Sequence, residues 1–209
     1  MSRTFTFRRD PHEEKDYLYT KKSVEINPGV TVLVGCNGCG KTTFLDIVKK
    51  DLDKNEIVYK AFNNLTDGKS NMMQKAVMQQ RFDLVSSLMS GSEGENIVTC
   101  IGEIAGQIGY LAYHKAKGEI WILFDATDSG LSIDNICEVK EYLFDTVIKD
   151  CNSRNIEAYI LVSANEYEMA SGENCLDVQH MKYVTFKDYD DYRSFILKSR
   201  KQKDKRFKD

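Results

Sequence analysis

Between Val30 and Lys50 the chain reads VTVLVGCNGCGKTTFLDIVKK, and no other stretch restricts its folding so tightly. Val30 to Val34 is a short apolar, β-branched run entered through the turn Asn27-Pro28-Gly29, which predicts a buried strand. Thr43 to Lys50 predicts a helix, with Phe44, Ile47 and Val48 on one face. The glycines between them let the backbone turn sharply and point its N–H groups inward. Strand, glycine-rich loop, Lys-Thr and helix, in that order, are the context of a phosphate-binding loop. The helix N-terminus adds unpaired N–H groups and the positive end of its dipole. Gly35, Asn37, Gly38, Gly40, Lys41, Thr42 and Thr43 are therefore candidate ligand-binding residues. Lys41 is placed to reach the β- and γ-phosphates of ATP, and Thr42 to hold Mg²⁺.

The 209 residues suffice for one compact α/β domain with a sizeable core. A net charge of −3 gives no global basic field for nucleic acid, although local patches remain open. No stretch approaches a membrane span, and the first residues are polar and basic rather than a signal peptide, so a cytoplasmic protein is expected. Four of the six cysteines stand alone on or near apolar segments, as buried free thiols do. Cys36 and Cys39 form a CxxC without a second ligand pair, which argues against zinc and favours two small loop residues over a redox switch. This usage fits a reducing compartment. His12, His114 and His180 show no metal or triad spacing.

Thr4 to Phe7 and Tyr17 to Ile26 alternate like antiparallel strands leading into the loop strand, with charged Arg8 to Asp16 between them. Residues 56–62 predict a strand, 63–71 a loop, 72–90 a Met- and Gln-rich helix, and 97–117 a long helix. Its glycines, Gly102, Gly106 and Gly109, suit close packing. Buried strands follow at 120–124 and 158–162, separated by a helix over 133–149. Cys175 to Val178 and Lys182 to Phe186 predict a closing hairpin. The expected organisation is one domain over residues 1–197, with a helical subdomain at about 64–117, and a basic tail over 198–209. That tail is either a solvated helical end or a surface for a nucleic-acid or protein partner.

Ile120 to Phe124 is an apolar strand ending in Asp125. A carboxylate in that place, after a phosphate-binding loop, holds Mg²⁺ together with the loop hydroxyl. The text continues Ala126-Thr127-Asp128-Ser129-Gly130-Leu131, which resembles the Walker B and D-loop segment of ABC-type ATPases, Asp-Glu-x-x-Ser-Gly-Leu. Asn37-Gly38-x-Gly40-Lys41 agrees with the ABC and SMC style of P-loop. Between the two, Ser92-Glu93-Gly94-Glu95 resembles the ABC signature in its Ser-x-Gly-Glu form, common in SMC-like and RecF-like ATPases. A second register, Ser90-Gly91-Ser92-Glu93, is open; the later one places Glu95 at a helix start, where a carboxylate suits the dipole.

The resemblance covers roughly residues 22–166 and implies a P-loop fold of ABC type. That fold has a mostly parallel core sheet, an N-terminal antiparallel β part and a short helical subdomain. It also implies a homodimer that sandwiches two ATP molecules head to tail. Ser92, Gly94 and Glu95 of one copy would then serve the nucleotide of the other. Those same exposed N–H groups also suit a plain helix cap, so the sequence does not separate the two roles.

The chain departs from the family twice. The Glu that follows the Walker B Asp is Ala126 here, with Asp128 either a substitute or an ordinary loop residue. The switch histidine is replaced by Asn165, which can bond a γ-phosphate but carries no charge. Asn63, Asn64 and Gln74 are all open as the Q-loop residue. The segment between P-loop and signature is too short for a transporter's helical subdomain or an SMC coiled coil. The expectation is a minimal stand-alone ATPase acting as a slow ATP-dependent switch, in DNA transactions or phage–host conflict. A transporter-like nucleotide subunit and a small-molecule kinase are the alternatives.

Overall fold

A computed structural model describes residues 2–7, 19–63, 69–128 and 131–206, the side chains of Glu93 and Arg206 excepted. Strands β1 (Arg3–Thr6) and β2 (Ser23–Ile26) pair antiparallel as a small separate sheet. Then come β3 (Gly29–Val34), α1 (Lys41–Lys54) and β4 (Tyr59–Asn63). Helices α2 (Lys69–Met78), α3 (Phe82–Ser90) and α4 (Glu93–His114) lead to β5 (Glu119–Asp125). Helix α5 (Ile133–Glu138) runs through a π-helical stretch (Val139–Phe144) into α6 (Asp145–Ser153). Strand β6 (Glu157–Ser163), short α7 (Tyr167–Ala170), β7 (Asn174–Asp177), β8 (Lys182–Val184) and α8 (Tyr189–Arg206) complete the described chain.

The main sheet has the order β4-β5-β6-β3-β7-β8, parallel except for antiparallel β8 at one edge. Parallel strands covered on both faces read as near-continuous apolar runs, and the central strands β3, β5 and β6 do. On one face Val30, Val32, Ile120, Ile122, Phe124, Ile160 and Val162 meet the helices from α2 to α6. On the other, Leu33, Trp121, Leu123, Tyr159 and Leu161 meet α1 and the small sheet. The strand period of two produces this division directly. Trp121 and Tyr159 stand opposite each other in register and stack at 4.1 Å, with the Phe5 ring edge-on to the indole at 5.3 Å. At about 25 cal/mol per Å², burial of an indole's roughly 200 Å² contributes about 5 kcal/mol, and here it fastens β1 to the sheet.

Several sequence expectations shift. The strand expected from Tyr17 begins at Ser23; Tyr19 to Lys22 form bends held by Phe7 N–H to Lys22 O at 2.8 Å and Thr20 N–H to Gln179 O at 3.0 Å. Tyr17, Arg8 to Asp16 and His12 lie outside the described residues. The single helix expected over 72–90 is two, broken at Gln80 (φ +58°), where Arg81 N–H turns back onto Ala76 O. The glycines of α4 do not pack closely: a Cβ at Gly102, Gly106 or Gly109 would meet nothing within 4 Å, so they lie on an open face. The helix expected over 133–149 reaches Ser153, and its π-helical stretch places Val139, Leu143 and Phe144 in the core. The basic residues from Lys198 to Arg206 continue the helix that starts at Tyr189, and residues 207–209 lie outside the described residues. The inward face of that helix, α8, carries Tyr192, Phe195, Ile196 and Ser199.

Candidate nucleotide-binding site

The loop between β3 and α1 is made by three glycines with positive φ: Gly35 (+143°), Gly38 (+76°) and Gly40 (+101°). Gly35 also has no room for a side chain, because a Cβ there would lie 2.6 Å from the Cys39 Sγ. Helix α1 starts at Gly40 with no side-chain cap, so the first N–H groups of the helix have no intrahelical partner and face the loop's concavity. Tyr19 Oη donates to Gly40 O at 2.9 Å, and Cys36 N–H donates to Ser199 Oγ at 3.1 Å. Both bonds brace the loop from outside. Cys36 and Cys39 are buried free thiols, and burial pushes the Cys39 thiol up to about 11, which removes thiolate character at neutral pH. That environment fits small packing residues rather than a redox pair.

A cavity of about 270 Å³ opens over this loop. It is lined by Asn37, Gly38, Gly40, Lys41, Thr42, Thr43, Asp125, Ala126, Ser163 and Asn165. Lys41, only 9 % exposed, donates through Nζ to Gly35 O at 2.7 Å and to Asn165 Oδ1 at 3.2 Å. Asp125, at the C-terminal end of β5, is held on both oxygens. Ser163 Oγ donates to Oδ1 at 2.5 Å and Asn63 Nδ2 to Oδ2 at 3.1 Å. Ser163 also accepts the Ala126 N–H at 3.0 Å, at a residue whose φ of +53° is left-handed.

Asp128 has a different place from the one its sequence position suggests. It is 1 % exposed and does not line the cavity; its Oδ2 accepts the N–H groups of Asn165 at 2.5 Å and Glu166 at 2.8 Å. Burial raises its pKa, and those two backbone bonds oppose the rise. Through Oδ2 this carboxylate holds the Asn165 turn, while its Oδ1 is buried without a hydrogen-bond partner. Tyr192 Oη reinforces the turn by donating to Asn165 O at 2.9 Å.

Ser92, Gly94 and Glu95 are not in this cavity. Ser92 caps α4 in a full capping box. Its Oγ accepts the Glu95 N–H at 3.4 Å, and Glu95 Oε2 accepts the Ser92 N–H at 2.7 Å. The Ser92 N–H holds the Glu95 carboxyl below its ordinary pKa. Among the Q-loop candidates, Asn63 ends β4 directly opposite Asp125; Gln74 is exposed on α2, and Asn64 lies outside the described residues, as do Ser129 and Gly130.

Sequence reasoning missed Ser163 as a site residue. Its signal was a polar side chain ending an apolar strand beside the Asp125 strand. Tyr19, Ser199 and Lys203 had no local signal, because their contacts to the loop come from 21 or more residues away in sequence.

No family model and no curated protein matches the sequence. Among solved structures the chain is similar to a crystal structure of the ADP conformation of an ATP-binding cassette of an ABC transporter. The TM-score is 0.51 at 10% identity, over 95% of this chain and 97% of that one. The fold is that of an ATP-binding cassette. Its α/β core, mostly parallel sheet and antiparallel β part match the expected fold class. Among the described residues no helix is long and apolar enough to cross a membrane.

The donor set fits a small hard cation. Thr42 supplies a hydroxyl and Asp125 a carboxylate with lone pairs remaining, both on the cavity wall. Among the described residues no cluster of three or more His, Cys, Asp or Glu side chains stands elsewhere to hold a metal. One or two protein oxygens completed by phosphate and water are what Mg²⁺ accepts.

Proposed function

We propose that this protein binds ATP with Mg²⁺ over the P-loop, dimerises around two nucleotides and acts as a slow nucleotide-dependent switch. The observation that carries this reading is the meeting of Lys41 and Thr42, Asp125, and Asn165 on one cavity, from three separate parts of the chain. Lys41 neutralises charge on the β- and γ-phosphates, and the open N–H groups of α1 cradle them. Thr42 and Asp125 would hold Mg²⁺, which would supply neutralising charge at the phosphates. Asn165 Oδ1, now on the Lys41 ammonium, marks the γ-phosphate end. Ser163 and Asn63 orient Asp125, and Asp128 fixes the turn that carries Asn165.

Ser92 and Gly94 would meet the γ-phosphate bound to a second copy. The capping box is compatible with this, since a capped helix start still presents N–H groups. The setting of the switch, DNA transactions or phage–host conflict, rests on the SMC- and RecF-like form of the motifs. Among the described cavity residues Asp125 is the one carboxylate, and it is committed to the metal role. The attacking water therefore lacks a base, and hydrolysis is slow. Because Ala126 lines the cavity, a glutamate there would reach into it. Ala126→Glu should raise single-turnover hydrolysis of ATP–Mg²⁺ by at least about tenfold, given that a positioned base contributes roughly 10²–10⁴. A parent protein that already turns over rapidly, with no gain from the glutamate, would refute the slow-switch reading.

A further inference from the structure

A second cavity, of about 450 Å³, adjoins the phosphate cavity and shares Asn37 and Asn165 with it. Its remaining wall is Gly35 and Cys36 from the loop and Ile196, Leu197, Arg200 and Lys203 from α8. The C-terminal helix thus brings two cations to the side of the P-loop where Asn165 holds the Lys41 ammonium. Lys203 Nζ donates to Asn37 O at 3.2 Å and would lie 3.7 Å from a Cβ on Gly38. Asp204 is the acidic neighbour of both cations, 3.6 Å from Lys203 Nζ and 3.9 Å from Arg200 Nε, near the outer limit of an ion pair. Three ammonium donors and five guanidinium donors exceed what Asn37 O and one carboxylate accept.

Helix α8 does not merely lie near the loop. Ser199, 3 % exposed, accepts the Cys36 N–H and donates to the buried Gln179 Oε1 at 2.8 Å. This buried link fixes the helix next to Arg200 and one turn before Lys203, so their approach to the loop is built into the packing. The recess is partly walled by Ile196 and Leu197 and shares Asn37 and Asn165 with the phosphate cavity, so its cations face a phosphate of a nucleotide held at the loop.

We propose that Arg200 and Lys203 contact, within the same chain, the terminal phosphate of the triphosphate bound at the P-loop, so that α8 distinguishes ATP from ADP. This supplies in cis the positive charge that Asn165 lacks. It rests on the nucleotide-binding reading above, and its test separates the two.

The test is calorimetric titration of the full chain with ATP–Mg²⁺ and, separately, ADP–Mg²⁺, for the parent and for the double variant Arg200→Ala/Lys203→Ala. The double variant should lose about tenfold or more in ATP affinity, the scale of charge-assisted bonds to one phosphate, while its ADP affinity changes less than about twofold. ADP binding also reports that the variant is folded. Arg200→Lys, which keeps a charge, should fall between the two. An unchanged ratio of ATP to ADP affinity overturns the proposal, as does an equal loss for both nucleotides, which would mean a distorted loop. A double variant that loses duplex-DNA binding at an unchanged ratio assigns the cations to nucleic acid instead and equally overturns it. A parent that binds neither nucleotide removes the P-loop reading itself, and this inference with it.

Discussion

Lys41→Ala is expected to abolish measurable ATP binding. Lys41 is 9 % exposed and its Nζ donates to both Gly35 O and Asn165 Oδ1, so its charge is already positioned before nucleotide arrives. A hydrogen bond to a charged group contributes about 1.5–3 kcal/mol, and Lys41 serves two phosphates, so the loss is roughly 10²–10⁴ in Kd. Fluorescence or calorimetric titration with ATP–Mg²⁺ measures this, with a thermal melt to confirm the fold. Unchanged affinity in the variant would remove the P-loop assignment.

Asp128 separates a positioning role from a catalytic one. Asp128→Ala removes the shared acceptor of two backbone N–H groups and leaves a gap beneath the Asn165 turn. Two charge-assisted bonds, less the burial cost of the carboxylate, put the expected loss of stability at about 2–3 kcal/mol. Asp128→Asn is the informative partner. An amide oxygen can accept the same two N–H groups, and relief of the buried charge offsets the unpartnered amide that would replace Oδ1, so its stability should stay within about 1 kcal/mol of the parent. Its residual ATPase rate should also be unchanged. Denaturant melts and single-turnover assays of both variants test this. A rate loss in the stable Asn variant would make Asp128 a proton acceptor after all.

The contrast at Asp128 shows what sequence carries and what it cannot. Val30 to Thr43 was legible because strand, loop, lysine and helix are contiguous, and their chemistry needs only local geometry. Asp125 was legible for the same reason, as the end of a buried strand. Asp128 was not, because whether a carboxylate meets water or a backbone turn depends on a contact 37 residues away. Ser163 and Ser199 follow that pattern, since each acts through one long-range bond. The break at Gln80 had no glycine or proline to announce it, and the turn is set by packing of α2 against α3. The basic segment was read as a tail because its charges outnumber its apolar residues. The contacts of Tyr192, Ile196 and Ser199 that anchor it recur at helical spacing on one face.

The central claim is that ATP joins two copies of this chain. Light scattering coupled to size exclusion, at a fixed protein concentration, tests it with no nucleotide, with ADP–Mg²⁺ and with ATP–Mg²⁺. The account predicts the 24.0 kDa monomer in the first two conditions and a doubled mass with ATP. It further predicts that Ser92→Arg stays monomeric with ATP while still binding it, because the cap of α4 would no longer admit the other copy's γ-phosphate. A parent that saturates with ATP and remains a monomer, or a Ser92→Arg variant that dimerises like the parent, would contradict it.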